Sequence, residues 1–387
     1  MDIPFQKSQF LKIAFDSLES QLTQFLQTAD PKPDWIIFDY ASHWLPPLVD
    51  KLGISRAFFS LFNAATMAFL GPAEVLLSGQ DNRKTADDFT VVPEWVPFES
   101  NVAFRVHEVV KFVEGSNESG TSDSVRFGAA INGSDLILMR TCVEFEPEWF
   151  ELLSELYRKP VVSVGVLPPD LEGNELENGE KWVCVRGWLD KQSVSSVVFV
   201  ALGTEATLTQ TELNELALGL EQCGLPFFWV LRTPPGPSGD ESILLPKGFE
   251  ERVRGRGMVH FGWVPQVEIL SHSAIGGFLT HCGWNSVIEG LAFGRVLILF
   301  PVMNDQGLNA RLLQGKKVGV EIPRDNSDGS FTSDSVVDTV RFAMVGEGGE
   351  STRANAREMR GLFGDKNRND HYVDSSVHCL LERKTSN

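Results

Sequence analysis

Within the 44 residues from Trp263 to Gln306 the sequence sets out, in order, an indole (Trp263), an amide (Gln266), an imidazole (His281), a glycine (Gly283) and a second indole (Trp284). An amide–hydroxyl pair (Asn285, Ser286), a carboxylate (Glu289) and an acid–amide pair (Asp305, Gln306) follow. Trp263 offers a flat face for a base, and His281 a hydrogen-bond donor. Gly283 lets a backbone approach closely because it has no Cβ. Asn285 and Ser286 fall where a helix should open, and the unpaired N–H groups and dipole of a helix N-terminus favour phosphate. Glu289 follows Asn285 by four residues, on the same helix face, and can accept from vicinal ribose hydroxyls. Asp305 and Gln306 supply acceptors and donors for the hydroxyls of a sugar. Taken together, these types suit a sugar nucleotide.

Such groups need a frame. From about residue 191 onward, short apolar runs alternate with amphipathic stretches. Strands are expected at 196–202, 227–231, 258–261, 275–280, 296–301 and 318–322. Helices are expected at 210–223, 266–271, 284–293, 306–315, 333–345 and 351–363. Strands alternating with helices of this length imply a parallel sheet wound on both faces. Sheets of that kind bind ligands beyond the carboxyl ends of their strands. Gly203-Thr204, Trp263–Gln266, His281–Ser286 and Asn304–Gln306 each follow such an end. In the first half, a helix is expected over 8–29 and buried strands at 35–38, 57–61, 135–139 and 160–164. The polar, turn-rich stretch 167–180 reads as a linker.

With those elements in place, the stretch W-x-P-Q, F-L-T-H-C-G-W-N-S, E-G and D-Q resembles the signature box of plant secondary-product glycosyltransferases, the UDP-glycosyltransferases of the GT-B fold. The likeness extends from about residue 33 to near the C-terminus. It is nearest the group that extends the sugar of an existing glycoside by glucosyl or rhamnosyl transfer. It implies two Rossmann-like, doubly wound domains: an incomplete acceptor-binding domain over 1–166, a linker over 167–190 and a UDP-sugar-binding domain over 191–387, the last helix packing back on the first domain. It also implies roles. Trp263 would stack on uracil, with the Val264 backbone pairing to it. Gln266 and Glu289 would hold the ribose. Thr204, His281, Asn285 and Ser286 would bind the diphosphate, with Gly283 admitting its backbone. Trp284, Asp305 and Gln306 would contact the donor sugar. UDP-sugar is then a co-substrate, and neither metal nor further cofactor is expected.

The same likeness implies inversion by direct displacement, with a histidine base oriented by an aspartate. Asp39, at the end of the strand over 35–38, matches that aspartate. Its histidine partner would belong to a segment preceding everything in this sequence, so impaired transfer and an unpaired edge on that strand are expected. His43, four residues on from Asp39, is a candidate substitute base against a plainer reading as a loop or pocket-lining residue. Trp44, Phe58, Phe59 and Phe62 are candidates to line an acceptor pocket, core packing being the default for Phe58 and Phe59.

Charge and composition bound the alternatives. Lys and Arg number 34 against 52 Asp and Glu, a net −18, which disfavours nucleic acid and anionic membrane surfaces. An anion must therefore be held locally. Five scattered cysteines without C-x-x-C argue against a disulfide framework or zinc site and for a cytoplasmic location. No apolar run has the length of a membrane span, and a monomer is expected. Asn117 and Asn132 match the glycosylation sequon by chance in that setting. A dinucleotide-dependent oxidoreductase would need G-x-G-x-x-G after a strand, and a hydrolase G-x-S-x-G. Neither is present, nor is a P-loop. The remaining alternative is a chain that binds UDP-sugar, or a partner, without turnover. His107, His260, His272, His371 and His378 show no ligand spacing and read as structural or exposed.

Overall fold

In the computed structural model of the chain, residues 8–79, 81–115, 120–169, 180–203, 206, 208–231 and 245–384 are described. They fall into two compact units. The N-terminal unit comprises Ile3–Phe104, Val109–Leu167 and Lys366–Asn387; the C-terminal unit comprises Arg105–Glu108 and Pro168–Asp365.

The N-terminal unit is built on four parallel strands in sequential order: β1 (Trp35–Phe38), β2 (Ser55–Ser60), β3 (Leu136–Met139) and β4 (Val161–Ser163). The run Leu-Ile-Leu-Met of β3 is buried throughout, as a strand covered on both faces requires. Side-chain caps set the starts of two flanking helices. Asn63 accepts from the Thr66 N–H before Ala64–Leu70, and Ser122 from the Val125 N–H before Asp123–Gly133. The expected helix over 8–29 is two helices, Ser8–Asp16 and Glu19–Thr28. The break has a local cause: the Ser17 hydroxyl turns back onto the Ala14 carbonyl at 2.6 Å and competes with the backbone ladder. The nineteen-residue helix Lys366–Lys384 belongs to this unit. Trp35 Nε1 donates to the Leu380 carbonyl at 3.0 Å, and the Asn369 side-chain oxygen takes the Val166 N–H at 3.0 Å. Within the described sheet, β1 pairs only with β2, and Ile37 on it is 54% exposed.

The C-terminal unit carries six parallel strands: β5 (Val197–Ala201), β6 (Phe227–Leu231), β7 (Gly257–Phe261), β8 (Ile275–Thr280), β9 (Val296–Leu299) and β10 (Gly319–Glu321). Their order is β10-β9-β8-β5-β6-β7. The chain winds outward from β5 through β6 to β7, returns to the other side of β5, and winds outward again through β8, β9 and β10. The order therefore reverses between β5 and β8, and a doubly wound sheet opens its ligand crevice at such a reversal. Val198, Val200, Leu279, Ile298 and Phe300 are all fully buried, each contributing about 1.5–3 kcal/mol by leaving water. The segment expected as a linker over 167–190 ends in a helix, Glu180–Leu189. Val185 and Leu189, one turn apart, are both buried, which explains the helix. Residues 170–179 of that segment lie outside the described residues.

Candidate functional site

The reversal point gathers the candidate residues. β5 runs into Gly203, and β8 into His281. A Cβ built on Gly203 would lie 2.7 Å from His281 Nε2, and one on Gly283 would lie 2.6 Å from the same atom. The imidazole thus sits against two glycine backbones that only glycine permits, and Gly203 also has φ +78°. The ring is poorly hydrated. Its Nδ1 is buried without a hydrogen-bond partner, and burial pushes the pKa down to about 4. At working pH His281 is neutral and offers an N–H rather than a charge.

Positive potential comes instead from the helix Trp284–Ala292. Its N-cap is Gly283, which brings no side chain to the first turn. The N–H groups of Trp284, Asn285 and Ser286 precede the first intrahelical bond, made by Val287 to the Gly283 carbonyl at 3.0 Å. Asn285 is exposed and Ser286 buried. Trp284 is the first residue of this helix. The ring is 5% exposed and packs edge-on to Phe363 at 6.3 Å, because the helix turns this position into the core.

Gln266 opens the helix Gln266–Ser271 after β7 and reaches across to the neighbouring helix. Its Nε2 donates to Ser286 Oγ at 3.1 Å and to Glu289 Oε2 at 2.7 Å. The fold therefore brings Gln266, Ser286 and Glu289 together from two separate strand ends. Trp263 stands on the loop before them, 65% exposed, with Val264 half-buried beside it. A large indole left in water on a strand-end loop is available for stacking rather than serving the core.

Beyond β9 the chain turns through Asn304, a non-glycine residue at φ +53°, into the helix Gln306–Gly315. The Gln306 side-chain oxygen takes the N–H groups of Val302 and Met303, each at 2.9 Å, leaving its amide nitrogen to donate. Burial pushes Asp305 up to about 6, against the opposing effect of the Asn309 amide, which donates to it at 2.8 Å. The same Asn309 nitrogen donates to the carbonyl of Cys282 at 2.9 Å. Cys282 is itself at φ +68°, so the loops after β8 and β9 are tied together at two unusual backbone positions. Arg324 supports the second loop from beneath. It donates to the Pro301 carbonyl at 2.9 Å and lies over the Phe300 ring at 4.6 Å. Sequence reasoning missed Asn309, although its spacing of four from Asp305 on a helix was a usable signal. Arg324 carried none. Thr204 lies outside the described residues.

In the N-terminal unit, Asp39 follows β1 and caps the turn Tyr40–Ser42 by accepting the Ala41 N–H at 2.9 Å. Among the described residues no hydrogen bond or ion pair joins Asp39 to a histidine. His43 is held elsewhere. Arg126, 1% exposed, places Nη1 3.0 Å from His43 Nδ1 and 2.7 Å from the Ala41 carbonyl, and pairs with Asp16. A guanidinium can only donate, so His43 Nδ1 is the acceptor and the ring's proton sits on Nε2. Asp39, Tyr40, Phe59 and Phe62 share a shallow recess. Tyr40 stacks on Phe127 at 4.2 Å, with Phe62 edge-on to Phe127 at 5.5 Å. Trp44 and Phe58 are buried in the core.

Comparisons with known proteins bear on the family and the fold. Residues 186–345 match the family model described as UDP-glucoronosyl and UDP-glucosyl transferase. Over 388 residues the chain is 56% identical to UDP-glycosyltransferase 91C1 of Arabidopsis thaliana, covering 100% of this chain and 82% of that protein. It is 38% identical to soyasaponin III rhamnosyltransferase of Glycine max, covering 98% of this chain and 79% of that protein. Among solved structures it is similar to Phytolacca americana UGT2 complexed with UDP-2fluoro-glucose and pterostilbene. That likeness has a TM-score of 0.72 at 28% identity, covering 93% of this chain and 78% of that one.

Proposed function

The chain belongs to the plant UDP-glycosyltransferases, and from that premise we propose that it moves a hexose, glucose or rhamnose, from a UDP-sugar to a hydroxyl of a small lipophilic plant metabolite or its glycoside. The acceptor oxygen attacks the anomeric carbon, its proton passes to a base, the bond from that carbon to the diphosphate breaks, and UDP leaves. Attack from the face opposite the diphosphate inverts the centre. One observation carries the reading: the reversal between β5 and β8 sets His281 between Gly203 and Gly283, immediately before a helix N-terminus whose N-cap is a glycine. That is a diphosphate cradle of N–H groups in a chain of net charge −18. Glu289 and Gln266 then hold the ribose, Trp263 the uracil, and Asp305 and Gln306 the hexose. The diphosphate needs no metal in this arrangement, so transfer should persist in EDTA. The relative from Glycine max, named for rhamnosyl transfer, supports keeping rhamnose beside glucose. All five cysteines are free, as suits a reducing compartment such as the cytoplasm, and no described helix is long and apolar enough to cross a membrane.

A second reading follows from the lack of a histidine bonded to Asp39 among the described residues. The 387-residue chain taken by itself binds UDP-hexose but transfers it slowly, at a cost of roughly 10²–10⁴-fold for the missing proton abstraction. Calorimetry with UDP, UDP-glucose, UDP-rhamnose and NADP, run beside a transfer assay on flavonoid and terpenoid glycosides, separates the outcomes. Binding of uridine nucleotides with product release supports the enzyme, and binding without product the slow binder. Preference for NADP would overturn both.

A further inference from the structure

A four-residue segment from the first half of the sequence, Arg105–Glu108, belongs to the C-terminal unit. It brings a carboxylate to the back of the helix that follows Asp305. Glu108 is 6% exposed. Its Oε2 takes the Arg105 N–H at 2.8 Å, which closes the first turn of the helix Val106–Gly115. Both of its oxygens accept from Arg311 Nη2 at 2.9 Å. Arg311 Nη1 donates to the Gly307 carbonyl at 2.9 Å and lies 3.3 Å from Glu321, which Arg105 pairs with at 3.0 Å.

The decisive contact is with Gly307. A Cβ built there would fall 2.3 Å from Glu108 Oε2, so the carboxylate lies directly on the backbone of the residue after Gln306. The opposite side of the same turn carries Asp305 and Gln306. Their own bonds, Gln306 to the Val302 and Met303 N–H groups and Asp305 to Asn309, hold them to the turn, and Asn309 ties its front to the Cys282 carbonyl. Glu108 and Arg311 hold its back, by a charge-assisted two-oxygen contact shielded from water that also reaches β10 through Glu321.

We propose that Glu108 is a positioning residue for the donor hexose: pressed on Gly307 and held by Arg311, it sets the height at which Asp305 and Gln306 meet the sugar. It rests on the reading of Asp305 and Gln306 as sugar contacts. It goes beyond that reading by assigning a sugar-specific role to a side chain that touches no ligand.

The test compares UDP with UDP-glucose and UDP-rhamnose by calorimetry on the full chain, for wild type, Glu108→Gln, Gly307→Ala and Gln306→Ala. Glu108→Gln should leave UDP affinity within about twofold and weaken the UDP-hexoses about tenfold, the size of one net hydrogen bond. Gly307→Ala, which displaces the carboxylate without removing charge, should move the ratio the same way and carries the test if Glu108→Gln does not fold. Equal losses for UDP and UDP-hexose, or an unchanged ratio in Glu108→Gln and Gly307→Ala while Gln306→Ala loses sugar affinity, would overturn the role of Glu108 alone. An unchanged ratio in Gln306→Ala would overturn the sugar-contact reading itself.

Discussion

The two sheets end differently, and the difference locates the chemistry. In the N-terminal unit, the edge strand β1 leaves Ile37 54% exposed. The nearby helices leave Phe10, Leu11, Ile13 and Phe25 in water, at 58%, 45%, 45% and 64% exposure. In the C-terminal unit, the edge strand β10 is covered by a buried cluster of charges, Glu321 with Arg105 and Arg311. That unit also carries nearly every candidate group within one continuous stretch of chain. The N-terminal unit contributes a single carboxylate, Asp39, and an aromatic recess. The proposed donor recognition therefore lies within the C-terminal unit and should survive lesions in the other.

The sharpest way to break that contrast is at the proposed diphosphate cradle. Gly203→Ala introduces a Cβ 2.7 Å from His281 Nε2 at a backbone angle of φ +78°. Strain of about 1–3 kcal/mol should weaken UDP-hexose by about ten- to a hundredfold in calorimetry. Asp39→Asn, in the other unit, should leave that affinity unchanged while slowing transfer. If Gly203→Ala binds as wild type does, the imidazole is not confined as described. A smaller loss, about tenfold, is expected for Trp263→Ala, since stacking a base on an aromatic ring contributes about 1–3 kcal/mol. Trp263→Phe should recover most of it. Neither change should lower Tm, because this indole is 65% exposed.

How much of this was legible in the sequence follows from the same contrast. The six C-terminal strands and their helices read clearly because β5, β6 and β9 are continuous apolar runs spaced by amphipathic stretches, and most of the strand-end groups lie within one stretch of 44 residues. The break at Ser17 was not legible, since the apolar spacing continues through it while the hydroxyl competes for the ladder. Nor was the burial of the Trp284 ring, which depends on Phe363, nearly eighty residues away. Glu108 is the clearest case. On its own helix it reads as a solvated charge, and only the fold brings it to Gly307, some two hundred residues further on.

Acidity should divide the hexose from the rest of the donor. Burial raises Asp305 to about 6, above its unfolded value of 3.8. A raised carboxyl is more stable protonated, so its contribution to stability is complete below about 4 and lost as pH rises through 6. Sugar hydroxyls prefer the ionised form. UDP-hexose binding should therefore weaken several-fold as pH falls from 7.5 to 5, and this dependence should vanish in Asp305→Asn. The same substitution should raise stability at pH 7.5 by about 1–3 kcal/mol, read as a higher Tm together with weaker sugar binding. A wild-type affinity that is flat across this range would mean that Asp305 does not meet the hexose.

The smallest expected effect tests the N-terminal unit. If His43 were the base that takes the acceptor proton, replacing it would cost about 10²–10⁴-fold in transfer. Its geometry argues otherwise. Nδ1 lies 3.0 Å from an Arg126 nitrogen that can only donate, so the one lone pair a neutral imidazole owns is engaged and Nε2 carries the hydrogen. To act as a base the ring would have to turn away from Arg126, which also donates to the Ala41 carbonyl in the turn Asp39 caps. His43→Gln keeps an acceptor toward Arg126 and should change the transfer rate by no more than about twofold, with UDP-hexose affinity unmoved. Arg126→Met, by contrast, should disturb the turn after Asp39 and slow transfer more than His43→Gln does. A reversal of that ranking would return His43 to the catalytic role and move the proton chemistry off Asp39.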